Sequence, residues 1–224
     1  MSSTQSLIPV EKADLPALTD LVHSCKLGLS INRLIIQDWP NESVQKRQYS
    51  GAVKDSFESS AIEDLKLVDD ETGEIVGYVV LRQDKAKGTG DGDGAAPEKE
   101  PGHDPQGGVP EGLNPDLLKV VQEVSAKVDA ATDDINHLRI LYICVRQSRR
   151  RQGAGSKMIK AAAEKAKAIG LPLVACSEPA AFPFYAACGF KETAHGDIDL
   201  AQFAMPMTGF GIFRLTGVIL KTEE

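Results

Sequence analysis

The sequence predicts an α/β protein, and three stretches carry that expectation. "HLRILYICV" (His137 to Val145), a Gly-Ala-Gly turn, a helical run from Gly155 to Ile169 and "LPLVACS" form a β-turn-α-β unit, which implies parallel strands. "LKLVDDETGEIVGYVVLRQ" (Leu65 to Gln83) sets two β-rich runs around a "DDETGE" reversal, the pattern of an antiparallel hairpin. Between them, Lys85 to Pro115 holds 8 of the 20 glycines and 5 of the 12 prolines and has no aromatic residue. Such a segment buries too little apolar surface to offset its ordering entropy, so a flexible Gly/Pro-rich insertion is expected at about 85–115. The domain reading is a single domain over 1–224 interrupted by that insertion.

The remaining elements follow in order. Leu7 to Val10 reads as an edge strand. Asp14 is placed to cap a helix with Pro16 in its first turn and Leu18, Leu21, Val22 and Cys25 on one face. A second helix is expected between Asn41 and Ser59, with Val44, Tyr49, Val53 and Phe57 inward and Gly51 weakening it. After the insertion, Asn114 and Pro115 start a helix whose Leu117, Leu118, Val121, Val124 and Val128 recur at helical spacing. His137 to Val145 is dense in β-branched residues and suits a central strand. The helix beyond the Gly-Ala-Gly turn turns Met158, Ile159, Ala162, Ala166 and Ile169 inward, and Gly170 and Pro172 stop it. "AAFPFYAACGF" reads as a short helix ending at Gly189; "FKETAHGDIDL" and "FGIFRLTGVILKT" supply the last strands.

Bulk properties narrow the function classes. The formal charge of −7 disfavours general nucleic-acid binding, which needs many basic contacts, and leaves a local cationic pocket open. Cys25, Cys144, Cys176 and Cys188 are widely separated and form no C-x-x-C pair, so reduced thiols and no metal site are expected. No signal peptide and no bilayer-spanning run is read, which gives an intracellular expectation, cytoplasmic or nuclear, with no membrane partner.

"SRRRQGAGSK" (Ser148 to Lys157) joins a strand to a helix. Unpaired N–H groups and helix polarity favour an anion there, glycines allow close approach, and arginines neutralise charge. The Walker spacing is absent, and the third glycine of the dinucleotide fingerprint is replaced by Met158. What remains is R-x-x-G-x-G, from Arg150 to Gly155.

That pattern resembles the coenzyme A pyrophosphate loop of the GNAT superfamily of N-acetyltransferases. The resemblance extends over the strand, loop, helix and strand and over "FYAACGF", which is similar to the family's Tyr-x-x-x-Gly-Phe signature. It implies a mixed central β-sheet flanked by helices and transfer of acetyl from acetyl-CoA to a primary amine, small molecule or protein, by direct attack in a ternary complex. On the strand, Ile143, Cys144 and Val145 would line the pantetheine arm, with backbone groups of Ile143 and Val145 pairing with it. N–H groups of Arg151, Gln152, Gly153, Ala154, Gly155 and Ser156 would hold the pyrophosphate, with Arg150 and Arg151 adding charge and Arg149 left in water. Tyr185 matches the tyrosine that protonates the departing thiolate, a role suited to a phenol. Packing beside Phe184 and Phe190 is the other reading of Tyr185.

An attacking amine must lose a proton, yet "LRILYICV" has no carboxylate. Glu178 is the nearest candidate base, with His137, Asp133 and Asp134 behind it. Leu27 to Trp39 and "AQFAMPMTGFGIF" could line an acceptor pocket, although a core or dimer seam is the commoner use of such residues, and a dimer stays open. Two alternatives remain: a non-catalytic acyl-CoA-binding module on the same fold, and a protein-interaction module.

Overall fold

Seven strands form one mixed sheet in the computed structural model, which describes residues 4–88 and 109–221. The first half runs β1 (Gln5–Pro9), α1 (Leu15–Lys26), α2 (Asn32–Ile35), α3 (Glu42–Glu58), β2 (Ile62–Asp69) and β3 (Ile75–Asp84). The second runs α4 (Pro115–Asp129), β4 (His137–Val145), α5 (Ala154–Ala168), β5 (Leu173–Ser177), α6 (Phe182–Ala187), β6 (Lys191–Asp199) and β7 (Ile212–Leu220). The order is β1-β2-β3-β4-β5-β7-β6, with β4 and β5 parallel and the other neighbours antiparallel.

Local chemistry explains most boundaries. Asn41 Oδ1 accepts from Val44 N (3.3 Å) at the start of α3, and Asn114 Oδ1 accepts from Asp116 N and Leu117 N (3.1 and 3.2 Å) at the start of α4. Gly51 lies within α3 without interrupting it. Asp14 precedes α1 but does not cap it. Its carboxylate accepts from Glu11 N (2.7 Å) and Lys66 Nζ (2.6 Å), closing the turn before the helix and tying it to β2. Gly170, at φ +67, ends α5 in the left-handed conformation that glycine adopts most readily.

Three apolar groups hold the layers. Strand alternation sends Val79 and Leu81 of β3 to one face, against Met158, Ile159 and Ala162 of α5, and Tyr78 and Val80 to the other, against Leu18, Leu21 and Val22 of α1. The third joins Leu117, Val124 and Val128 of α4 to Ile198, Phe213 and Leu215 of β6 and β7.

The ends of the expected insertion are anchored. Ala86 N donates to Asn136 Oδ1 (2.8 Å), Gln37 N donates to Gly112 O (2.8 Å), and Asn114 N donates to Ile35 O (2.8 Å). The described parts of 85–115 therefore belong to the folded body; residues 89–108 lie outside the described residues. Among the described residues no helix is long and apolar enough to cross a membrane.

Candidate functional site

The site begins where the two parallel strands part. β4 pairs with β5 only from Leu138↔Leu173 to Ile140↔Ala175, while β5 stays on β7 through Ser177↔Thr216. On its other side β4 follows β3 to Gly77↔Val145, with an irregularity at Leu141: Val80 faces Tyr142 and Leu81 faces Ile140. This extra residue is a bulge, which bends a strand and interrupts its alternation. Leu141 and Tyr142 accordingly both turn to the α1 face, and Ile143 and Val145 return to the α5 face.

The exposed edge of β4 carries defined backbone groups. Arg146 N donates to Val76 O (2.9 Å), so residue 146, and by alternation Cys144, present their polar atoms to β3. The N–H and C=O of Ile143 and Val145 therefore point the opposite way, into the opening. Val145 O there accepts from Arg150 Nε (3.2 Å) and Cys25 Sγ (3.4 Å).

The opening leads to the loop before α5. Arg151 (φ +63) and Gly153 (φ +86) are both left-handed, a conformation that costs a non-glycine residue about 1 kcal/mol or more and that turns successive N–H groups to one side. The first helical bond is Lys157 N to Gly153 O (3.0 Å), so the N–H groups of Ala154, Gly155 and Ser156 face out of the helix start. Arg150, Arg151 and Gln152 are exposed beside them. The two glycines differ. A Cβ on Gly153 would meet no atom within 4 Å, whereas one on Gly155 would lie 3.0 Å from the Phe184 ring, so Gly155 serves the packing of α5 on α6. Arg149 is not left in water: its guanidinium pairs with Glu74 (3.0 Å) and Asp69 (3.3 Å), fastening the loop to the β2–β3 turn.

A polar cluster lies at the inner end of the opening. Tyr185 is 4% exposed, with ring centroids 5.6 Å from Phe184 and 5.1 Å from Phe190. Burial, reinforced by the Glu178 carboxylate, pushes its phenol well above the usual tyrosine range. Glu178 forms an ion pair with Lys26 from the last turn of α1. Burial of that ammonium favours loss of its proton, but Glu178 outweighs it and Lys26 is held above the usual lysine range. Lys26 Nζ also sits 6.0 Å from the Tyr142 ring centroid.

Residues 118–192 match the model of the acetyltransferase (GNAT) domain. Over that stretch the chain is similar to GNAT acetyltransferases. No curated protein matches it by sequence. Among solved structures, a histone acetyltransferase HPA2 and related acetyltransferase from Corynebacterium glutamicum is 18% identical, with a TM-score of 0.57, covering 97% of this chain and 96% of that one. A yellow fever mosquito protein bearing the name arylalkylamine N-acetyltransferase 7 gives 14% and 0.63, covering 98% and 88%. The ribosomal-protein-S18-alanine N-acetyltransferase of Escherichia coli gives 11% and 0.50, covering 99% and 97%. At these identities the likeness is one of fold.

Around the opening the sequence candidates divide by position. Tyr185, Glu178 and Cys144 lie within electrostatic range of one another, Ile143 and Val145 line the wall of the opening, and 150–156 its outer end. His137 sits at the far end of β4, its Nδ1 2.9 Å from Ile135 O and its Nε2 3.3 Å from Asp84, inside a structural network. Asp133 pairs with Lys87 (2.5 Å), and Asp134 is exposed. Phe203, Phe210 and Phe213 pack with Ile31 and Leu117, while Met205 and Met207 are exposed. Sequence reasoning missed Cys25 and Lys26, which stand 120 and 152 residues from their partners Val145 and Glu178.

Proposed function

We propose that the domain transfers an acetyl group from acetyl-CoA to a primary amine by direct attack in a ternary complex. The observation that supports this best is the continuity of the opening with the loop. A row of strand groups at Ile143 and Val145, turned away from β3, runs into a left-handed, arginine-flanked helix start. That surface suits a long ligand with an amide-bearing arm and an anionic head. The residues fit coenzyme A: the loop N–H groups with Arg150 and Arg151 would hold the pyrophosphate, and β4 would pair with the pantetheine amides.

The bound donor supplies an activated acyl group as a thioester. Tyr185, kept protonated by its burial, would donate a proton at the departing sulfur. Glu178 and its partner Lys26 would face the incoming amine; with Glu178 already paired, its role is to orient the amine, and water would carry the amine's proton away. An acceptor panel spanning arylalkylamines, polyamines, amino acids and peptide N-termini would define the amine. The reading is intracellular, with no nucleic-acid partner.

The test is titration calorimetry with acetyl-CoA. Saturable binding is expected, weakened about 10-fold or more in Arg150→Ala, the loss of one charge-assisted hydrogen bond. Gly153→Val should weaken it likewise by displacing the loop. Absence of saturable binding, or wild-type affinity in both variants, overturns the reading.

A further inference from the structure

Two thiols meet at the wall of the opening. Cys25, in the last turn of α1, is half-buried, and its Sγ lies 3.4 Å from Val145 O. Cys144, the next β4 residue back, is 4% exposed and turns its side chain to the same α1 face. The two side chains pack in one apolar group, close enough for Cys144 and the Arg150 guanidinium to act electrostatically on Cys25. The hydrogen bond with Cys144 foremost, then Arg150, overcome burial and lower Cys25 to about 6. A thiolate held beside a cation at a partly open position, backed by a buried second thiol, is the arrangement of a reactive cysteine with its resolving partner.

We propose that Cys25 and Cys144 form an oxidisable dithiol, a modification site for peroxides and low-molecular-weight disulfides at the edge of the groove. With hydrogen peroxide, the Cys25 thiolate attacks one peroxide oxygen, giving the sulfenic acid and hydroxide. The Cys144 sulfur then attacks the Cys25 sulfur; the S–S bond forms, and the sulfenic oxygen leaves as water with the Cys144 proton. With a low-molecular-weight disulfide, Cys25 first forms a mixed disulfide and releases one thiolate, and Cys144 displaces the second. Cys176 and Cys188 lie elsewhere on the sheet and on α6 and serve as internal controls.

The site is tied to the groove through Val145 O. On the coenzyme reading above, a bound pantetheine arm takes that carbonyl and covers Cys25, so the coenzyme shields the dithiol.

The experiment is a peroxide time course on the full chain, with and without saturating acetyl-CoA, read by intact mass and by peptide mapping under non-reducing conditions. The expected product is lighter by two hydrogens, maps to Cys25 linked to Cys144, reverts with a dithiol reductant and is absent in Cys25→Ser. Acetyl-CoA should slow its formation at least about five-fold. Oxidation that instead spreads evenly to Cys176 and Cys188, or stops at Cys25 without linkage to Cys144, overturns the dithiol. If calorimetry shows acetyl-CoA bound while the rate is unchanged, the placement of the dithiol in the groove is overturned. If acetyl-CoA does not bind at all, the coenzyme reading falls, and the mapped linkage still decides the dithiol.

Discussion

At the residue scale, Tyr185 combines two properties that rarely coincide: it is nearly fully buried, yet it lies in the field of Glu178, Lys26 and Cys144. Removing its hydroxyl leaves the ring contacts with Phe184 and Phe190 in place, so Tyr185→Phe isolates the proton from the packing. We expect kcat to fall about 100-fold, the lower end of general-acid contributions, with the KM for acetyl-CoA changed by less than about two-fold. Steady-state kinetics with a competent amine decide it; an unchanged kcat assigns Tyr185 to packing. The spacing R-x-x-G-x-G was legible because its chemistry is local: the left-handed Gly153 and the adjacent arginines act within one turn of chain. The role of Gly155 was not legible, since what restricts it is the Phe184 ring, brought over by α6. Arg149 was misread for the same reason, its partners Glu74 and Asp69 being on another hairpin.

At the element scale, the helices and strands were readable because periodicity and capping are local, and the β-turn-α-β unit fell close to its expected bounds. The gap between β4 and β5 was not. It depends on a bulge at Leu141 and on β5 leaving β4 after Ala175, neither of which has a residue signature in "HLRILYICV" or "LPLVACS". The Lys26–Glu178 pair, which joins the end of α1 to the segment after β5, was equally invisible from two ordinary charged residues. Packing of α4 onto the sheet offers a test at this scale. Gly196 in β6 stands where a Cβ would lie 2.5 Å from Val124 Cγ1, too close without displacing the helix. Val124 is β-branched and held by its helix, so it yields poorly. Gly196→Ala should therefore destabilise the fold by about 2 kcal/mol, the usual range for overpacking, measured as a lower urea midpoint at unchanged m-value. Wild-type stability would show that α4 can slide on β6.

At the scale of the whole molecule, ionisable groups on opposite faces of the sheet set a pH window. Burial raises Asp84, but hydrogen bonds from His137, Arg82 and Arg139 outweigh it and hold its carboxyl well below the usual range. Its contribution is therefore present above the unfolded carboxylate value of about 4 and is lost as pH falls further. Asp64 pulls the other way, raised by burial against hydrogen bonds from Tyr78 and Ser56, but by less. On the alkaline side burial raises Tyr49 to about 12 and lifts Tyr78 and Tyr185 further. The unfolded chain releases those protons near pH 10 while the folded one retains them, so stability falls as pH rises past about 10. Urea midpoints should accordingly fall as pH drops below about 4 and as it rises past about 10. Tyr49→Phe removes one of the three phenols while keeping its ring beside His23, 5.9 Å between centroids, so its alkaline fall should be shallower than wild type. Midpoints that stay level to about pH 11 would mean that these phenols ionise without unfolding, and the layer joining α1 and α3 to the sheet would then be open to water rather than sealed.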